Sequence, residues 1–170
     1  MLTYLTIRAV HVLAGALWFG FAVFSAWWLI PMAKDLGPHG PQVGASLQRR
    51  GYIAAVPIIA MVGILSGVWL YWRYTGGFSP EGSRTPAAMA FGTGGILAIL
   101  ALLIGGLLIS RSMARATAMA SQAAGAGSEN DRRRLLAGAE ALRNRAGVGA
   151  QIVAVLLAVT VILMSIAHYL

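Results

Sequence analysis

From Ala9 to Ile30 the chain offers water little to hold except one imidazole, His11, and one hydroxyl, Ser25. A run of about 20 apolar residues is what a helix needs to cross a hydrocarbon layer roughly 30 Å thick. Within that layer each backbone amide must find its partner inside its own segment, so such a run has to be helical. Three more apolar runs follow, near Tyr52–Tyr74, Ala87–Ser110 and Val148–Leu170. With 58% hydrophobic and only 11% charged residues in 170, no soluble domain of this size is a plausible product. The fold class expected is all-α: an integral membrane four-helix bundle forming a single domain over 1–170, with helices at about 4–30, 48–74, 87–120 and 130–169.

The connections set the order of crossings. Pro31 is expected to kink or end the first helix, and the GPHGP stretch from Gly37 to Pro41 to reverse the chain. In the second helix, GILSG from Gly63 to Gly67 permits close contact with a neighbour, and Pro57 is tolerable in a membrane setting. Thr75–Pro86 reads as an irregular loop, with Pro86 in the first turn of the third helix. Between the third and fourth crossings lies the one sizeable polar segment, Arg111–Arg145. Its good helix formers are broken by AGAG at Ala124–Gly127, and Ser128 stands three residues before Asp131 in a capping-box spacing. A helical hairpin projecting from the membrane is the expected form.

Ten of the 13 Lys and Arg residues fall in the first and third connections, leaving Arg8, Arg73 and Arg84 on the other side. Basic loops remain in the cytoplasm, so both termini are expected outside and the hairpin inside. The same distribution explains the net charge of +8 without nucleic acid, since no aromatic residues interleave with the arginines. The Arg132–Arg145 segment could meet anionic lipid headgroups or simply be a solvated helix face. The first helix is too long for the apolar core of a cleaved signal peptide and is expected to be retained.

At 100° per residue, Tyr4, Arg8, His11, Gly15, Trp18, Ala22 and Ser25 share one stripe of the first helix, which should face protein. The topology brings His11 and His168 to a similar depth near the outer surface. Two facing imidazoles could hold a b-type heme, with Gly15 admitting the macrocycle, Trp18 as a wall and Arg8 near its propionates. Alternatively His11, His168 and Met164 could ligate copper. Against both stand plainer readings: a hydrogen-bonded packing histidine at 11, a solvated one at 168, and Trp18 and Met164 as core. Zero cysteines exclude thiolate sites.

The stretch HVLAGALWFG, carrying His11, Gly15, Trp18 and Gly20, resembles the first helix of the membrane domain of copper-resistance protein D-like proteins and of related small four-helix bacterial membrane proteins. SGVWLYWR, Ser66–Arg73, is similar to the same group. The resemblance covers roughly the first 75 residues and implies a multi-pass protein of the bacterial cytoplasmic (inner) membrane, with copper handling or heme association. The third helix here has no His, so at most one bis-His site is available.

Two functional classes follow. One is a heme or copper protein serving electron transfer or metal handling; the other is a non-catalytic accessory subunit that associates with other membrane proteins or with itself. A proton-coupled carrier is poorly supported, because Asp35, Glu81, Glu129, Asp131 and Glu140 all fall in connections. Hydrolysis and phosphoryl transfer lack a nucleophile–base pair, paired carboxylates or a phosphate loop, and whether the chain is an enzyme stays open.

Overall fold

The computed structural model describes the backbone of residues 1–170 and every side chain except those at 38 and 41. Among the described residues there is no strand, and four helices are long and apolar enough to cross a membrane: Leu2–Asp35, Tyr52–Tyr74, Pro86–Ala124 and Glu129–Tyr169. The protein is an all-α, multi-pass bundle with both termini at one end.

The first spanning helix consists of α1 (Leu2–Phe24), a π-helical stretch Ser25–Leu29 and α2 (Ile30–Asp35). Pro31 neither ends nor breaks it. Proline is acceptable in the first turn of a helix, where it withholds no needed amide, and the wide π turn just before it lets α2 restart there. A 3₁₀ turn, Gly37–His39, leads into α3 (Gly40–Arg49), whose first two residues belong to the GPHGP stretch expected to be a turn. Gly40 is required at that corner, because a Cβ would collide with the Ala33 carbonyl.

The second spanning helix is α4 (Tyr52–Tyr74). The connection after it is not wholly irregular: α5 (Pro80–Ser83) forms one turn capped by Ser79, and Thr75 is buried at 1% exposure. Thr75 donates to the Tyr71 carbonyl and accepts from the Phe78 amide, which pins this loop to the end of α4. The third spanning helix opens at the Thr85 N-cap and Pro86 and runs through α6 (Pro86–Leu103), a second π stretch (Ile104–Ile109) and α7 (Ser110–Ala124). Gly125 stops it. Ser128 then caps α8 (Glu129–Ile166): its Oγ accepts from the Asp131 amide at 3.1 Å and donates to the Asp131 carboxylate at 2.8 Å.

The third and fourth helices form one antiparallel pair extending well past the others. Along the fourth spanning helix the residues Ala139, Ala146, Val153, Thr160 and Ala167, the last in its closing 3₁₀ turn, recur every seven positions and all are buried. That period describes two helices wound closely along a shared seam. On the partner helix the seam is Gly94, Ala98 and Ala101 before the π stretch, and Ser112, Ala116 and Ala123 after it. The inserted π residue resets the phase by one, so both halves keep their small side chains on α8. Counted from Ser110, the free part of the hairpin is roughly 22 Å long at 1.5 Å per residue. The bundle core proper joins all four helices through Trp18, Ala60, Ala98, Ala101, Val153 and Leu157.

Candidate functional site

His11 stands where α1 crosses α4. Its Nδ1 lies 2.9 Å from the Gly63 carbonyl oxygen and 3.3 Å from the Ser66 hydroxyl. The Ser66 hydroxyl hydrogen is already committed to backbone, with the Val62 carbonyl 2.6 Å away. Both neighbours therefore present acceptors, and Nδ1 must carry the proton and donate. Gly67 makes room for the ring: a Cβ there would lie 2.7 Å from Cε1 of His11. The GILSG segment is thus a seat for one imidazole, with Gly63 supplying the acceptor and Gly67 the space. Nε2 keeps its lone pair, has no hydrogen-bond partner among the described residues and is not sealed from the surface.

His168 is engaged differently. The Arg8 guanidinium donates to its Nε2 at 3.0 Å, and its ring meets Phe91 edge-on with centroids 5.7 Å apart. Phe91 meets Tyr74 in the same manner at 5.4 Å, and Tyr4 lies against Trp69 at 6.4 Å. Taken in turn, these contacts pass from the first helix to the fourth, third, second and back to the first. They link all four helices around the end of the bundle that carries both termini. Phe91 was not singled out in the sequence, where nothing distinguishes it from other apolar residues of its helix.

The remaining sequence candidates divide between packing and open surface. Trp18, at 6% exposure, fills the common core. Met164 leans on Gly94, its Cε and Cγ both 3.4 Å from where a Cβ would stand, and so belongs to the seam between the third and fourth helices. Gly15 is half-buried, and a Cβ there would meet nothing within 4 Å.

A heme or copper ion would ask for ligand nitrogens with free lone pairs, held in place by hydrogen bonds at the opposite ring atom. His11 meets this requirement for one ligand, with Nδ1 tied to a backbone carbonyl and Nε2 free. At His168 the same atom accepts from Arg8, so a ligand bond there would displace the guanidinium. Met164 has its recorded neighbour on the third helix, whereas His11 has its own on the second. Among the described residues no group of three or more His, Asp or Glu side chains converges to hold an ion.

What fold and side chains define together is a class: a four-helix, multi-pass bundle with a projecting helical stalk and a histidine seated between its first and second spanning helices. No protein-family model, curated protein or solved structure matches the chain.

Proposed function

We propose that this chain is a non-catalytic, membrane-embedded subunit that associates with other membrane proteins in a bacterial cytoplasmic membrane. The observation supporting this reading is the use already made of the side chains a cofactor would need. Arg8 and His168 bond to each other, Trp18 fills the core, and Met164 packs on Gly94. The stalk adds a long, water-facing element beyond the membrane, suited to contact with a partner. A second reading, heme b or copper bound through His11, has one observation in its favour: the free Nε2 of a ring whose Nδ1 is fixed. The likeness of HVLAGALWFG to the copper-resistance group points the same way.

The two readings separate in one measurement. The protein is purified in mild detergent and examined by absorption spectroscopy, air-oxidised and after dithionite, together with metal analysis. The subunit reading expects no Soret band, no stoichiometric copper, and an unchanged profile for His11→Ala. A Soret band or one copper per chain, lost in His11→Ala, would establish the second reading instead.

A further inference from the structure

The two hairpins on the stalk side differ in how far their cations stand from the membrane, and the register between helices fixes those distances. Gly149 packs against Ile109, where a Cβ would lie 3.0 Å from Cγ1, and Gly147 against Ile30 at 3.6 Å. Lys34 Nζ donates to the Asn144 side-chain oxygen at 3.5 Å, and the Ser25 and Tyr52 hydroxyls are 2.8 Å apart. These contacts place the ends of all four apolar spans within roughly 14 Å of one another along the bundle axis. At 1.5 Å rise per helical residue, Arg111, Arg115, Arg143 and Arg145 stand within roughly 9 Å of the Gly149–Ile109 level. Lys34 shares that level through Asn144, and Arg49 and Arg50 immediately precede Tyr52. The Arg132–Arg134 run, by contrast, is roughly 22–26 Å away along α8.

We infer that the seven cations Lys34, Arg49, Arg50, Arg111, Arg115, Arg143 and Arg145 form a collar that binds the headgroups of anionic phospholipids. The expectation that the whole Arg132–Arg145 segment meets lipid therefore narrows to its membrane-proximal end. Three observations agree. The collar draws on four separate chain segments whose cations stand just past the ends of the apolar spans, where headgroup phosphates are expected. Among the described residues both ion pairs are at the far tip, Glu129 with Arg132 and with Arg133, so no carboxylate neutralises the collar through an ion pair. Asp35 is the one carboxylate within the same span; Glu140 is roughly 13 Å beyond Gly149. Tip arginines more than two Debye lengths from a surface feel little of its charge, since that length is about 8–10 Å at ordinary ionic strength.

The test uses the full chain in nanodiscs of equal phosphatidylglycerol and phosphatidylcholine, released into detergent and read by native mass spectrometry for retained phospholipid. The wild type is expected to retain phosphatidylglycerol preferentially. R49Q/R50Q/R143Q/R145Q is expected to retain at least about fivefold less, the ratio one surface cation commands on an anionic leaflet. R49K/R50K/R143K/R145K and R132Q/R133Q/R134Q are expected to match the wild type. If the quadruple Gln variant aggregates, R49Q/R50Q, which lies outside the α7–α8 seam, decides with a partial loss. Equal retention of the two lipids by the wild type would overturn the proposal. So would a loss in the tip variant as large as in the collar variant, or a polynucleotide or protein found on the collar in place of lipid.

Discussion

The two ends of the bundle are closed by opposite means. At the end carrying the termini large side chains reach across the helices at the periphery: Arg8 to His168, His168 to Phe91, Phe91 to Tyr74, and Trp69 to Tyr4. At the stalk end one aromatic contact, Phe21 with Tyr52 at 5.3 Å, joins the first and second helices, while the fourth helix meets the others through small side chains. Ala26, Ala150 and Ala154 make a second small core, and the hairpin beyond it is held by Ala116, Ala123, Ala139 and Ala146. The difference teaches where volume is tolerated. A peripheral contact between exposed rings can be lost one link at a time, because each partner keeps other neighbours and water is near. A seam built from methyl groups depends on close approach of backbones along its whole length, so any added carbon separates the helices.

The sharpest way to break the contrast is to enlarge the seam. Ala139→Leu combined with Ala146→Leu is expected to destabilise the stalk by about 2–6 kcal/mol, the range for overpacking two closed positions. Proteolysis between residues 112 and 145 should accelerate accordingly, while Ala141→Leu on the exposed side leaves it unchanged. Equal behaviour of the two variants would mean that the stalk is not held by its alanine seam.

The His11 seat lies between the two extremes, a polar group held by close backbone. Gly67→Ala is expected to cost about 1–2 kcal/mol by pushing the imidazole off the Gly63 carbonyl. In a His11→Ala background the same change should be close to neutral, so a double-mutant cycle reads the coupling directly from thermal melts. Additive losses in that cycle would place the cost of a Cβ at 67 somewhere other than the ring.

The smallest effect belongs to the contacts at the end carrying the termini. His168→Gln keeps an acceptor for Arg8 and is expected to cost less than about 1 kcal/mol, as befits an exposed hydrogen bond. His168→Lys sets two cations side by side and should cost measurably more. Identical melts for the two would show that the Arg8 contact contributes nothing to closure.

The four crossings were legible because a membrane demands length and apolarity over the same residues, and Ala9–Ile30 satisfies both at once. The hairpin was legible too, through AGAG and the Ser128–Asp131 spacing. Helix α3 was not: Gly37, Gly40 and Pro41 look like turn residues, yet the structure begins a helix at Gly40, and a proline in the first turn of a helix breaks nothing. Continuity past Pro31 was hidden for a related reason, since the sequence carries no mark of the π turn that prepares it. At the candidate site the stripe of the first helix and the glycines of GILSG were both visible. That the glycines accommodate His11 requires knowing the rotation of two helices about their axes, which periodicity leaves free. The pairing of Arg8 with His168 spans 160 positions, and only their shared depth could be read in advance.

The unbroken length of α8 gives the molecule a lever. From Glu129 to Ile166 it runs through a bilayer and out the far side without a proline or a π turn. A rod of roughly 57 Å pivoting by about 5° swings its far end by about 5 Å. A small tilt imposed where its C-terminal turn meets Arg8 and Phe91 would therefore arrive, undiminished, at the arginine-bearing tip.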